Sequence, residues 1–157
     1  MEEIAKSEQE CWDNKISERP FVLLSQPSVF DNSRAPEGKH TLWAYCHVPH
    51  GSEVDMTDAI ESQIERFAPG FRDVVLKRQK RTAMDFQRYN PNYVGGDIIC
   101  GSPTPSQIMT RPVARINPHT TANPNLFIAS SATPPGGGVH GMCGYLAAEA
   151  AIKQLRK

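Results

Sequence analysis

The sequence predicts an α+β fold: a mixed or antiparallel sheet covered by helices, with a C-terminal strand, glycine-rich turn and helix. Three observations carry this prediction. Short runs rich in β-branched and aromatic residues alternate with amphipathic segments in the order helix, strand, strand, helix, strand. Met56, Ile60, Ile64 and Phe67 recur at helical spacing. Residues 125–149 place an apolar run, Leu126 to Ala129, before a triglycine bend and an amphipathic segment.

Residues 2–15 predict a short polar helix with Ile4, Cys11 and Trp12 as a thin apolar stripe. Phe21–Leu24 reads as a buried strand and Thr41–Val48 as a second. Asp31, Pro36 and Gly38 supply turn chemistry between them. Asp55 or Thr57 caps the next helix, and Pro69-Gly70 stops it. Phe71–Lys80 is expected to be a strand, with Val74 and Leu76 on one face and Val75 on the other. Thr82–Arg88 reads as a helical turn. The final helix is expected over Val139–Leu155, with Val139, Cys143, Leu146 and Ala150 along one side.

The 157 residues are enough for one domain, and 17 basic residues balance 17 acidic ones. That balance gives no electrostatic case for nucleic acid or an anionic membrane. The one basic cluster, Lys77 to Arg81, lacks an aromatic stacking ladder and reads as a solvated strand end. There is no apolar leader segment and no run of eighteen apolar residues, so a soluble, cytoplasmic protein is expected. Cys11, Cys46, Cys100 and Cys143 form no C-x-x-C pair, which suits reduced thiols. Cys46, His47 and His50 cluster, but neighbours on a strand point to opposite faces, and no metal site is expected.

The bend itself carries the chemistry. Glycine lets a ligand approach the main chain closely, and the free amides of a helix's first turn favour an anion or a carbonyl-type oxygen. Gly136, Gly138 and Gly141 spell G-x-G-x-x-G, yet the fingerprint requires a returning strand and an acidic residue about 20 positions on, and Lys157 comes first. Two readings remain: a cofactor contact, or glycines that permit tight strand-to-helix packing.

Beyond the bend, an ordered set of segments spans about residues 20 to 155. They are Pro20 to Asp31, Ala35 to Trp43, Ile64-Glu-Arg-Phe-Ala-Pro-Gly-Phe71, Asn90-Pro-Asn-Tyr-Val-Gly-Gly-Asp97 and the triglycine bend. The set resembles the C-terminal portion of phytoene desaturase-like FAD-dependent oxidoreductases. Nothing in residues 1–20 resembles the N-terminal fingerprint of those enzymes. The resemblance implies a fragment of a two-domain oxidoreductase. Residues 1–19 are then an N-terminal helical segment, 20–119 part of the substrate domain with connecting loops, and 120–157 the closing strand and helix of the FAD domain.

The same resemblance places Thr133 to His140 beside the flavin, with Gly137, Gly138 and Val139 as cofactor contacts and His140 as a weak catalytic candidate. Asn90 to Asp97 and Gly101 to Pro105 would shape the pocket wall. Gly141 and Gly144 read as packing glycines, and Cys143 as either a reactive thiol at a helix start or a small residue packed under the turn. No G-x-S-x-G elbow, H-E-x-x-H, Walker or EF-hand pattern occurs. The expected function is thus that of a C-terminal fragment of a FAD-dependent oxidoreductase acting on an apolar, isoprenoid-type substrate. Alone it should be inactive and bind FAD weakly or not at all, and it should self-associate or pair with a separate N-terminal FAD domain. The alternative is a non-catalytic binding or assembly module.

Overall fold

Two strands meet where the sequence places its first β-rich runs. In a computed structural model that describes residues 1–102 and 104–156, β1 (Leu23–Ser25) pairs antiparallel with β2 (Trp43–Tyr45). Leu23 lies opposite Tyr45, Leu24 opposite Ala44 and Ser25 opposite Trp43. The Trp43 and Tyr45 rings, two residues apart on one face, meet edge-on at 5.1 Å, and His47 continues the row 5.6 Å from Tyr45. Against the expectation of a buried strand, β1 is half-covered at Leu23 and exposed at Leu24 and Ser25, because among the described residues this sheet has only two strands.

Helices flank the hairpin. α1 (Glu2–Trp12) turns Ser7 inward rather than its apolar stripe: Ser7 Oγ donates to the Ile4 carbonyl at 2.9 Å and accepts the Phe21 N–H at 3.0 Å. Ile4 and Trp12 stay exposed. Glu8 meets His47 Nδ1 at 2.8 Å, joining α1 to the end of β2. α2 (Thr57–Phe67) starts where expected, the Asp55 carboxylate accepting the Thr57 N–H at 3.0 Å and its hydroxyl at 2.6 Å. Met56 and Ile64 are buried. Phe67 is not; its ring lies under the Arg66 guanidinium, whose centre is 5.4 Å away. Gln63 Nε2 donates to the Pro20 carbonyl at 2.9 Å, and Arg66 grips Glu3 with both terminal nitrogens, so α2 holds the hairpin and α1 together.

The strand expected over Phe71–Lys80 does not form. Phe71–Val74 is a 3₁₀ turn, set by the Glu65 carboxylate accepting the N–H groups of Gly70 at 2.5 Å and Arg72 at 3.0 Å. The residues after it have the alternation of a strand but no ladder partner among the described residues, and Leu76 lies in water, as does Val74 at the end of the turn. Side chains strap this segment to α2 instead: Arg78 pairs with Glu61, and Lys80 with Asp55 just before the helix. Two of the four cations in the basic cluster are therefore paired with acidic groups, and Arg81 lies over the Tyr89 ring.

α3 (Ala83–Tyr89) is closed by a capping box: Thr82 Oγ1 accepts the Asp85 N–H and Asp85 Oδ2 accepts the Thr82 N–H at 2.9 Å. α4 (Pro105–Thr110) is a short helix that the periodicity does not reveal. The strand expected over Leu126–Ala129 is reduced to one antiparallel bridge, Thr120 with Phe127, beside an Ile128 N–H to His119 carbonyl bond of 2.8 Å. With two prolines and three glycines close behind it, this run has no length in which to build a ladder. α5 (Met142–Leu155) begins three residues later than expected and buries Cys143, Ala147 and Ala150.

The buried apolar residues are few, and the chain exposes 11438 Å². A folded monomer of this mass exposes roughly 7,900 Å². Much apolar surface is consequently uncovered, Phe30, Ile116 and Val139 among it.

Stability should fall in acid. The Asp85 carboxyl is held below its usual range by the Thr82 N–H, Glu65 by the Arg72 N–H, and Asp55 by Lys80. For a folded pKa that is depressed, the stabilisation is present above the unfolded value and lost as pH falls through the folded one. Urea midpoints should hold steady from about pH 7 to pH 5 and drop progressively below about pH 4, with Asp85→Asn flattening part of that slope.

Candidate functional site

The triglycine bend is fixed from below. Thr133 is fully buried. Its Oγ1 and N–H donate to the Ser130 carbonyl at 2.7 and 2.9 Å, and its own carbonyl accepts the Gly136 N–H at 2.9 Å. Cys143, on the first turn of α5, donates its thiol to the carbonyls of Thr133 at 3.5 Å and Gly136 at 3.3 Å. The thiol is a buried brace beneath the bend, which supports the packed reading of Cys143 over the reactive one. The Arg111–Pro112 and Pro134–Pro135 peptide bonds of this region are cis.

From this anchor the chain rises to the surface. Gly136 is buried, whereas Gly137, Gly138, Val139 and His140 are exposed. A cleft of about 140 Å³ opens beside them, walled by Ser130, Gly136, Gly138, His140, Cys143 and Gly144. Pockets that enclose a drug-sized ligand hold roughly 300 Å³ or more, so this one is a wall rather than an enclosure. Gly136 must be glycine: its φ is 100°, and a Cβ there would lie 2.0 Å from Arg111 Nη2. A Cβ on Gly138 would strike the His140 ring, 2.6 Å from its Cδ2. Gly141 and Gly144 are not packing glycines, since a Cβ on either meets nothing within 4 Å. Gly141 instead takes a left-handed conformation, φ 66°, at the start of α5, and Gly144 leaves the helix surface bare beside the cleft.

His140 has a role that spacing does not reveal. Its Nδ1 accepts the Met142 N–H at 2.9 Å and so caps α5. Accepting at Nδ1 places the proton of the neutral ring on Nε2, which leaves an N–H donor over Gly138. The next two amides of the helix, those of Cys143 and Gly144, find no protein acceptor among the described residues. Free donors and the positive end of a fourteen-residue helix thus converge on the cleft.

Neither Asn90–Asp97 nor the described part of Gly101–Pro105, which leaves out residue 103, lines this cleft; the contact with the bend comes from between them. Ile99 Cγ2 lies 3.1 Å from where a Cβ on Gly137 would sit, which sets the loop after Asp97 against the bend. Asp97 orders that loop by accepting the N–H groups of Ile99 and Gly101 at 2.9 and 2.5 Å. His50 packs against Gly95, and His47 is engaged with Glu8. Burial pushes the Cys46 thiol up to about 11, with Cys11 nearby adding to the effect. Among the described residues no group of three or more His, Cys, Asp or Glu side chains is arranged to hold a metal ion. No helix among them is long and apolar enough to cross a membrane.

Against known proteins, 152 residues are 31% identical to pyridine nucleotide-disulfide oxidoreductase domain-containing protein 2 of Rattus norvegicus, covering 89% of this chain and 26% of that one. The chain is a distant homologue of FAD-dependent oxidoreductases. Phytoene desaturase (lycopene-forming) of Pantoea ananas is 28% identical over 87% of this chain and 29% of its own, and 4,4'-diapolycopen-4-al dehydrogenase of Metabacillus indicus 27% identical over 83% and 27%. The chain spans about a quarter of the length of these curated relatives. No family model matches it, and no solved structure matches it significantly.

Removing the imidazole tests the cap. His140→Ala should lower unfolding free energy by about 1 kcal/mol, while His140→Asn, which keeps an acceptor at the same reach, should recover most of it in urea melts.

Proposed function

We propose that this chain supplies the flavin-side wall of a FAD-dependent oxidoreductase acting on an apolar, isoprenoid-type substrate. The observation that carries the reading is the open glycine bend, braced by Thr133 and Cys143 and capped by His140, in a sequence homologous to such enzymes. The fit to a flavin rests on three of its features. Residues 137–140 are open to a flat ligand, the cleft offers unpaired amides of Cys143 and Gly144, and Gly144 has no Cβ to obstruct it.

FAD, when bound, supplies the hydride acceptor, and the protein supplies orientation and a dry pocket. Gly137 and Gly138 let the main chain approach the ring's polar edge, and Val139, fully exposed, offers it an apolar face. The start of α5 favours negative charge at that edge by roughly 0.3–2 kcal/mol. His140 borders the cleft, with Nε2 2.9 Å from where a Cβ on Gly138 would sit, and offers a hydrogen-bond donor there. None of these groups reaches a pyrophosphate or adenosine, so binding by this chain alone must offset ligand ordering with flavin contacts only.

A second reading has its own observation. The excess of exposed surface fits a non-catalytic module that recruits a partner or a second copy through apolar residues such as Phe30 and Ile116. Co-expression with a separately encoded N-terminal FAD domain separates the two: a yellow complex supports the split enzyme, and failure to assemble supports the module.

Titration of the isolated chain with FAD, followed by flavin fluorescence, should give weak quenching or none, with any signal lost in Gly138→Val. Tight stoichiometric binding would show that the chain needs no second unit to hold the cofactor.

A further inference from the structure

α5 turns its small residues inward and its large ones outward. Cys143, Ala147 and Ala150 are buried, whereas Tyr145, Ile152 and Leu155 are 59%, 45% and 84% exposed. Only Glu149, Lys153 and Gln154 carry charged or amide side chains, so the helix is apolar on both faces. A helix of that composition belongs inside an assembly rather than on its rim. Its inward face is braced to the bend through Cys143, and no other helix or strand of the described residues packs extensively along it.

The outward residues are spaced as a seam. Tyr145, Ala148, Ile152 and Leu155 follow one another at three, four and three residues, the a and d spacing of a heptad, which keeps them in line along one side. That spacing reads the same in either direction. An identical helix laid antiparallel therefore brings Tyr145 against the partner's Leu155 and Ala148 against the partner's Ile152. Each small residue then meets a large one, whereas a parallel pair would set alanine against alanine and leave a gap. Gly144 and Ala151, flanking the seam, have little or no side chain to hold two backbones apart. Antiparallel alignment also opposes the two helix dipoles. Glu149 at the seam's margin brings no unpaired charge, since Lys153 lies 3.8 Å from it on the same helix.

We infer that the outer face of α5 is an isologous interface, through which two copies of this chain pair by antiparallel α5 helices. The self-complementary seam is what singles out a second copy as the occupant. Surface is ample for it: the chain exposes 11438 Å² against roughly 7,900 Å² for a folded monomer of its mass, and a specific interface takes about 800 Å² per partner. The pairing rests on the second-copy reading, to which it gives a face, and does not require the flavin.

Sedimentation velocity of the full chain across about 1–300 μM tests this. A reversible dimer with a micromolar dissociation constant is expected, because two fourteen-residue helices make a small interface. Ile152→Glu should weaken it about tenfold or more, with helix content unchanged by circular dichroism, while Phe30→Glu, outside α5, should leave it intact. Charge exchange reads the register and decides the matter should Ile152→Glu fail to fold. Tyr145→Glu mixed with Leu155→Lys should recover the dimer that each loses alone, and more fully than Tyr145→Glu mixed with Tyr145→Lys. Better recovery in the second mixture would overturn the antiparallel seam. A monomer at every concentration would overturn the pairing altogether, and if that monomer still forms a yellow complex with a separate N-terminal FAD domain, the flavin wall stands without it. A dimer that Phe30→Glu dissolves and Ile152→Glu does not would keep the second-copy reading and remove α5 from it.

Discussion

The bend at residues 133–138 depends on one buried node. Thr133 gives both of its donors to Ser130 and receives Gly136 and Cys143 at its carbonyl, so four hydrogen bonds from three residues converge on it. A glycine run left to itself samples many conformations, and its ordering entropy is the largest of any residue type. Here the Thr133 carbonyl and the Cys143 thiol select one of them and tie it to the first turn of α5. The exposed glycines can then present backbone in a fixed direction without side chains of their own.

Much of the helical framework is legible in the sequence. The Asp55 cap, the Met56 and Ile64 stripe, the Pro69-Gly70 stop and the Thr82 to Asp85 box are local signals, and each operates as its chemistry requires. Strands fared differently because a ladder needs a partner. Phe71–Lys80 and Leu126–Ala129 have β-type composition, yet one lies along α2 held by side chains and the other reaches only a single bridge. α4 had a readable start, Thr104 followed by a proline at the first helical position, hidden by its shortness.

At the site, the openness of Gly137, Gly138 and Val139 follows the reading of the bend, while the roles of its neighbours come only from coordinates. His140 as a cap has a signal in hindsight, an acceptor side chain two residues before the first helical amide. Arg111 has none: a single arginine in a polar loop looks solvated until the fold brings Gly101 and Gly136 against it. Gly144 reads as a packing residue on type alone, but a Cβ there would meet no atom of another segment within 4 Å. Long-range enclosure by backbone is invisible to spacing.

The segment that runs beside α2 has a practical corollary. Exposed ion pairs of the Arg78–Glu61 kind contribute about 0–1 kcal/mol each, and mobile counterions weaken them over a screening length of about 3 Å at 1 M ionic strength. In concentrated salt the tether on residues 75–81 therefore slackens while the hydrogen-bonded box at Thr82 holds. Precipitation or ion-exchange steps would then handle a chain whose Val74–Leu76 stretch swings more widely than it does in dilute buffer, and sulfate-rich and low-salt preparations would differ in stickiness without differing in helix content.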